Sequence, residues 1–384
     1  MNSDIFERHG YKMKKILSLF VALMLCVASL SLLASCSLTA TQTTTADEGS
    51  KFVFTDLGNG TCSVAPGPSF QKEDAKQIPE TSPDGKTVTT IQRMAFSGKT
   101  GITEVVLPKT VTAIENFAFK GCTSLTSISL PGGLKSIGNY AFDGCSKLAA
   151  IALPSGLEYA GIYAFRNCTG ITEIEIPDSL KSFDAAFYRC SGLTSVTFGN
   201  IETIGEGAFF ACSAIQNVTL PESLVEIKDF AFQDCSGLKA IEIPEKVIAV
   251  GNGAFKGCKA LTDVVFHSDK VIALEQTFYG CMALTEIVLS DNIQTIGEST
   301  FENCGGISEI HLPKTLAFLD QGAFSSCTAL SDFYFDGTKA EWNSVRKPDT
   351  SGNAYTQTNK VIAWDEGMRS YTVHCADGDL NVRK

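Results

Sequence analysis

Histidine is scarce in this sequence, and the common catalytic motifs are missing. The four histidines among 384 residues, His9, His267, His311 and His374, lie far apart along the chain. No P-loop, no Gly-x-Gly-x-x-Gly after a strand, no Gly-x-Ser-x-Gly elbow and no His-Glu-x-x-His occurs in it. We therefore expect no enzymatic activity, no catalytic residue and no cofactor.

Positive charge is also under-represented. The chain carries 31 Lys and Arg residues against 42 Asp and Glu, which gives a formal net charge of −11 at pH 7. A protein that binds nucleic acid needs a basic face to contact the phosphates. The composition therefore argues against nucleic acid as a partner.

What the sequence contains in abundance is one repeated unit. An Ala-Phe pair, which is Thr-Phe in two copies, recurs every 23 residues except for two steps of 22. A fixed period of about 20 to 50 residues is typical of a solenoid, in which stacked repeats bury a continuous core. The phenylalanines of this pair are Phe96, Phe119, Phe142, Phe165, Phe187, Phe209, Phe232, Phe255, Phe278, Phe301 and Phe324.

The clearest copy of the unit runs from Cys122 to Cys145. Ile128 and Leu130 lie two residues apart, which is the period of a β-strand, and the serines between them point to the other face. Pro131 follows at once and ends the strand, because proline cannot donate a hydrogen bond to the next strand. The final Ala-Phe-x-x-Cys segment is predicted to be a helical turn or an irregular arc with its apolar side chains inside.

The pattern predicts a repeat solenoid with a parallel β-sheet on its concave face and irregular or short helical arcs on its convex face. Between strand and arc, Leu134 and Ile137 predict a second buried contact. The two short steps fall between Cys168 and Phe187 and between Cys190 and Phe209, in turns rather than strands. Small caps are expected at both ends, because the end repeats would otherwise expose the core.

The L-x-x-I-x-L-P-x-x-L-x-x-I-G-x-x-A-F-x-x-C unit resembles the leucine-rich repeat of BspA-like bacterial surface proteins. The resemblance covers roughly Val88 to Phe335, and the G-T-x-x-x-W and V-H-C-x-D-G stretches near the C-terminus are similar to the terminal module of that family. It implies a leucine-rich-repeat arc and a role in adhesion or ligand binding at a cell surface. It does not identify the ligand.

The N-terminus has the layout of a secretory signal, in which Met13-Lys14-Lys15 precedes an apolar run. Met13 is an alternative start of the chain. Leu33-Ala34-Ser35-Cys36 resembles a bacterial lipobox, which implies lipid attachment at Cys36. A transmembrane anchor is the alternative for the same run, but its flanks are those of a cleaved signal. We expect an exported protein, lipid-anchored to the bacterial membrane and exposed at the cell surface.

The composition divides the chain into five segments. Trp342 and Trp364 are expected in the core of the C-terminal segment. The segment after the signal peptide contains almost no large apolar residues, so it cannot pack and is interpreted as a tether. The predicted segments are a signal peptide at 1–35, a lipid-anchored tether at 36–50, an N-terminal β cap at 51–90, the solenoid of 22–23-residue repeats at 91–335, and a C-terminal cap module at 336–384.

Ten cysteines follow ten of the phenylalanines by three residues and form a predicted ladder. In an exported chain they suggest disulfides or a thiolate metal site. Each cysteine, however, occupies the same place in its coil, so the Cβ vectors do not converge and the ligands form a line rather than a tetrahedron. We therefore interpret them as small buried apolar fillers and expect no metal. The ladder is Cys122, Cys145, Cys168, Cys190, Cys212, Cys235, Cys258, Cys281, Cys304 and Cys327.

Two side chains of each strand point outward, and stacked strands arrange them in two columns with a spacing of about 4.8 Å. Like charges on neighbouring strands are destabilising. The acidic end of the first column therefore indicates either a solvated, screened surface or a patch for a basic or cation-bridged partner, with Tyr334 as the candidate hot-spot residue. The first column ends with Asp263, Glu286, Glu309 and Asp332, and the second with Val265, Val288, His311 and Tyr334.

The function predicted from the sequence is a surface lipoprotein that binds a macromolecule, such as a host or neighbouring-cell protein, through its repeat surface. The alternative is a structural or scaffolding component of the cell envelope that binds bacterial proteins or glycans. Both functions need only an exposed repeat surface, so the sequence does not separate them. It does not determine the oligomeric state either.

Overall fold

The computed structural model describes residues 49–347, 368 and 370–382. The expected signal peptide, the lipid-attachment residue Cys36 and Trp364 lie outside these residues. The described part of the chain is a β-solenoid of about 12 turns with little helix. The predicted fold class, a repeat solenoid with parallel strands along one side and irregular arcs on the other, is confirmed.

Each regular coil begins with a short primary strand, which alternates buried and outward residues as predicted. The primary strands pair in parallel and in register, so that Glu104 lies beside Ser127 and Asp263 beside Glu286. The primary strands are Glu104–Val106, Ser127–Ser129, Glu173–Ile176, Ser195–Phe198, Ala240–Ile243, Asp263–Phe266, Glu286–Val288, Glu309–Leu312 and Asp332–Phe335.

A second line of strands runs beside the first, and the sequence did not predict it as strand. The contact expected at Leu134 and Ile137 is made by two-residue strands that pair in parallel from coil to coil. Each contains a single buried residue, which is too few to show alternation. The secondary strands are Ala113–Ile114, Ser136–Ile137, Tyr159–Ala160, Thr203–Ile204, Glu226–Ile227, Ala249–Val250, Ala273–Leu274, Thr295–Ile296 and Phe318–Leu319.

The repeated phenylalanines form one unbroken stack through the core. From Phe96 to Phe324, successive ring centroids are 5.0 to 5.8 Å apart, with interplanar angles between 2° and 14°. These are offset-stacked pairs, a preferred geometry of aromatic rings. The stack continues through both 22-residue steps, with 5.2 Å between Phe165 and Phe187 and 5.5 Å between Phe187 and Phe209. The missing residues are therefore absorbed in the turns.

The ladder cysteines are buried, and they also donate hydrogen bonds. Each of the ten thiols lies 3.0 to 3.3 Å from the carbonyl oxygen of the preceding coil's phenylalanine. The Phe209 carbonyl, for example, accepts both the Cys212 N–H and the Cys235 thiol. Burial raises the pKa of the Cys235 thiol to about 12. The apolar-filler interpretation therefore omitted a polar contact between coils.

The arcs contain no helical turn among the described coils. They are built from consecutive turns, and the residue two places before each core phenylalanine has a positive φ. Examples are Tyr140 at 56° and Gly253 at 59°. Of the two alternatives for the Ala-Phe-x-x-Cys segment, the irregular arc is the one observed.

The N-terminal end of the stack is covered by a hairpin. Phe52–Gly58 and Thr61–Pro66 pair antiparallel, and Thr87–Ile91 then pairs in parallel with the second of these strands and with the first secondary strand. A 3₁₀ helix, Lys72–Lys76, lies between Thr61–Pro66 and Thr87–Ile91 in the sequence. Phe70 packs edge-on against Phe96, with ring centroids 5.7 Å apart, and so ends the aromatic stack.

The C-terminal end is covered by a helix and two further strands. The helix Lys339–Ser344 starts at a capping box and buries Trp342 against Phe335, with ring centroids 5.4 Å apart. Tyr371–Cys375 pairs in parallel with the last primary strand, Asp332–Phe335, and Gly378–Val382 pairs antiparallel with Tyr371–Cys375. The sheet of the repeats therefore continues into the cap.

The stack leads to a first prediction, for Phe232. Its ring is fully buried and lies 5.4 Å from the Phe209 ring and 5.6 Å from the Phe255 ring. Phe232→Ala should therefore lower the free energy of unfolding by about 3–5 kcal/mol, because it leaves a cavity that the fixed coils cannot close. Urea unfolding followed by circular dichroism measures this loss.

Substitution of the neighbouring cysteine serves as the control. Cys235→Ala removes one donor to a carbonyl that retains the Cys212 N–H, so the expected loss is only about 1 kcal/mol. Cys235→Ser keeps a donor and should cost no more than the alanine variant. A serine variant as unstable as Phe232→Ala would contradict this ranking.

Candidate binding surface

The pairing register brings the predicted site residues together on one surface, the strand face. Asp263 pairs with Glu286 and Val265 with Val288, which places them side by side in the two outward columns. In the last two coils the paired residues are Glu309 with Asp332 and His311 with Tyr334. Among the described strands the sheet is divided between these two groups, after Glu286–Val288 and before Glu309–Leu312.

The charged residues of the two outward columns have one sign, although Lys76 of the 3₁₀ helix pairs with Glu104 at the N-terminal end, at 2.5 Å. Along both outward columns, from Glu104 to Tyr334, the sequence contains carboxylates and no Lys or Arg. Glu286 and Glu309 are exposed, and within the described residues neither forms a salt bridge. Val288 beside them is 56% exposed. The acidic carboxylates of the two columns are Glu104, Glu173, Asp263, Glu286, Glu309, Asp332, Glu175 and Glu242.

The last carboxylate of the first column has a partner that the sequence analysis missed. The Nε2 atom of His374 lies 2.9 Å from Asp332 Oδ1, and its Nδ1 atom lies 3.0 Å from Asp379 Oδ1. Hydrogen bonds from the Ser331 hydroxyl and His374 lower the pKa of Asp332. The bond to Asp332 in turn raises the pKa of His374, and Asp379 adds to this effect.

The same histidine extends the second column. The rings of His311, Tyr334 and His374 stack in that order, with centroids 4.7 and 4.6 Å apart and interplanar angles of 12° and 15°. Two histidines that are far apart in the sequence therefore lie in one column, on opposite sides of Tyr334. Both faces of the Tyr334 ring are covered, so a ligand would meet this candidate hot-spot residue at its edge.

No sequence signal marked His374 as part of this surface. It belongs to Tyr371–Cys375, a strand outside the repeat, and lies 42 residues beyond Asp332. A period of 22 or 23 residues cannot place such a residue in a column. Only the V-H-C segment itself, an alternating apolar and polar stretch, indicated a strand there.

A groove of about 320 Å³ lies next to the acidic end of the strand face. Asn217 and Ala240 line it together with Glu222, Glu242 and His267. His267 Nε2 is 3.1 Å from Glu242 Oε2, so these two lining side chains form a hydrogen bond with each other. No pattern in the sequence indicated the groove, which lies where the small outward residues Asn217 and Ala240 of adjacent coils leave a depression.

In 49–347, 368 and 370–382, no group of three or more His, Cys, Asp or Glu side chains is arranged to hold a metal ion. No helix in that part of the chain has the length and apolar character of a membrane span.

Comparisons with known proteins agree with this architecture. The profile of the BspA type leucine rich repeat region, in six copies, matches residues 81–185, 183–276 and 270–344. A solved leucine-rich repeat protein from Bacteroides ovatus is 29% identical, with a TM-score of 0.53 over 78% of this chain and 89% of that chain. A leucine rich cell surface protein from Faecalibacterium prausnitzii is 24% identical, with a TM-score of 0.43 over 80% of this chain and 98% of that chain. The comparison with curated proteins found no match.

The His374 contacts lead to a prediction about pH. Because the folded pKa of His374 is raised, its ion pairs contribute stability fully at pH values below about 6.5, the ordinary histidine pKa. That contribution is lost as the pH rises through the folded pKa. The melting temperature of the wild type should therefore fall, relative to His374→Gln, as the pH rises from 6 towards 9.

Differential scanning calorimetry of both proteins across this pH range measures the difference. His267→Gln is the matched control, because that histidine also faces a carboxylate but lies outside the cap contacts. Parallel pH profiles for the wild type and His374→Gln would contradict the assignment of the charge pairs.

Proposed function

The chain belongs to the BspA-type leucine-rich repeat family, and from this premise we propose that it is an exported surface protein that binds a macromolecular partner through its strand face. Leucine-rich-repeat solenoids are typically binding scaffolds without enzymatic activity. The signal sequence and the lipobox at Cys36 support export and lipid anchoring. The partner we propose is a protein of the host or of a neighbouring cell.

One observation supports the choice of surface: the two outward columns of the strand face contain carboxylates and no Lys or Arg. A one-sign surface attracts a partner of opposite charge and raises its association rate. The exposed Val288 and the edge of the His311 and Tyr334 stack add apolar contact area beside the charges. A basic protein segment fits both properties.

Glu286 and Glu309 provide the test of this surface. The double variant Glu286→Lys/Glu309→Lys should weaken binding to the responsive members of a panel of immobilised host matrix proteins at least tenfold, equivalent to about 1.4 kcal/mol. Surface plasmon resonance at physiological salt measures the affinities. The stability should change little, since both side chains are exposed.

The matched control is Glu173→Lys/Glu175→Lys, which makes the same charge change near the middle of the same face. It should alter the affinity less than twofold. Equal losses in the two double variants would show that only net charge matters and would remove the proposed site. Undiminished binding by both variants would favour a scaffolding role that uses another surface.

Lipid attachment has its own test. Cys36→Ser should move the protein from the membrane fraction to the soluble fraction, with unchanged circular dichroism, because the proposed acyl chains provide the anchor. Fractionation of cells in high salt, followed by immunoblotting, measures the distribution. A serine variant that stays in the membrane fraction after the salt wash would show that another segment holds the protein there.

A further inference from the structure

A second repeated surface lies on the arcs, and the proposed function does not use it. Five aromatic rings follow one another there from coil to coil, with successive centroids 5.1, 5.2, 5.2 and 4.4 Å apart. All five are partly exposed. The rings of this cation-aromatic column belong to Phe117, Tyr140, Tyr163, Tyr188 and Phe210.

Four basic side chains lie over these rings. Arg93 lies 5.8 Å from the Phe117 centroid, and Lys120 lies 5.5 and 5.7 Å from the centroids of Phe117 and Tyr140. Arg166 lies 5.2 Å from both Tyr140 and Tyr163, and Arg189 lies 5.5 Å from Tyr188. These are cation-π distances, so the rings hold the cations along one line.

Only part of this charge is neutralised locally. The buried Asp143 accepts two hydrogen bonds of 2.8 Å from Arg166 and lies 3.7 Å from Lys120. Glu115 accepts the backbone N–H of Arg93 nearby. The side chains of Arg93 and Arg189 have no recorded carboxylate partner among the described residues, and both residues are exposed. Two of the four cations, Arg93 and Arg189, are therefore available to a carboxylate from outside the coil.

The column and the strand face carry charges of opposite sign, and both follow the stacking of the coils. The cations come from four of the five coils between Arg93 and Arg189, and the last carboxylates of the strand face come from four successive coils, so several cations of one copy can meet carboxylates of another. We propose that copies of this chain associate heterologously, with the acidic strand face of one copy docked on the cation-aromatic column of the next. The proposal uses the strand face of the proposed function but needs no foreign ligand.

Other occupants fit the column less well. Single-stranded nucleic acid binds by stacking bases on aromatic faces, whereas Phe117 with Tyr140 and Tyr188 with Phe210 are already stacked on each other, and Tyr163 meets Tyr188 edge-on. An anionic glycan would find the cations but would leave the matching strand face unexplained. Two different surfaces make a heterologous contact that does not close on itself, so open-ended chains of copies are expected.

The experiment uses the full chain and two neutralised variants. The column variant is Arg93→Gln/Lys120→Gln/Arg189→Gln, which spares Arg166 because that residue pairs with the buried Asp143. The face variant is Asp263→Asn/Glu286→Gln/Glu309→Gln. Lys246→Gln/Lys270→Gln/Lys314→Gln, at three exposed lysines of the loops after primary strands, is the charge-matched control for the column variant.

Sedimentation velocity over a concentration series at low salt is the measurement, with circular dichroism to show that each variant is folded. The wild type and the lysine control should form species that grow with concentration. The apparent dissociation constant should weaken at least tenfold at ~0.5 M salt, where charges are screened beyond a few Å. Each neutralised variant alone should remain monomeric.

Mixing the two variants gives the decisive result. The column variant has an intact strand face and the face variant has an intact column, so an equimolar mixture should form a one-to-one dimer that grows no further. A mixture that stays monomeric, or a column variant that still self-associates, overturns the proposal. A wild type that stays monomeric but binds an anionic polysaccharide resin through the column also overturns it, in favour of a glycan.

This outcome is independent of foreign ligands. Self-association is scored on the pure protein, whereas the column variant, with its intact strand face, should still bind a basic partner protein. A wild type that binds the basic partner protein but stays monomeric therefore rejects only the contact between copies. A wild type that self-associates but does not bind the partner protein rejects only the proposed function.

Discussion

The structure depends on one contact between coils, made at the repeated phenylalanine. From Phe96 to Phe301, the amide of each of these phenylalanines donates to the alanine or threonine carbonyl of the next coil, as Phe209 does to Ala231, and its carbonyl accepts a thiol from the next coil. No coil can satisfy these buried groups alone, so each coil needs its neighbour in register. The aromatic stack adds apolar burial to the same contact. Core and register are therefore specified by the same residues.

Because the register between coils is fixed, the spacing of residues in the sequence determines where their side chains lie on the surface. Any outward property that recurs every 22 or 23 residues becomes a line of side chains along the solenoid. This produces the carboxylates of the strand face and the first three rings of the cation-aromatic column, Phe117, Tyr140 and Tyr163, whereas Tyr188 and Phe210 continue the column from another position of their coils. The two surfaces are placed by the core rather than by local loops, so a coil shifted out of register would disrupt both of them at once.

The repeat explains which features the sequence could predict. The primary strands and the pairing of Asp263 with Glu286 follow from alternation within a long period, and the structure has them. The secondary strands hold one buried residue each, so no pattern marks them. A thiol donating to a carbonyl leaves no trace in a sequence. The pairing of Asp332 with His374 joins the repeat to a segment outside it, which periodicity cannot reach.

The first outward column of the strand face places like charges on neighbouring strands, and its last carboxylate differs from the interior ones in having a histidine partner. At the end, the cap supplies His374 to Asp332, and Asp379 supports that histidine. Between Glu286 and Glu309 the described sheet is divided, so these two carboxylates are not held together by strand pairing. The interior carboxylates receive no cation from the described residues, although lysines and arginines are plentiful on the arcs. Since like charges on neighbouring strands are destabilising, a cation from outside the coil, on a partner or on a second copy, would remove a cost that the solenoid itself leaves in place.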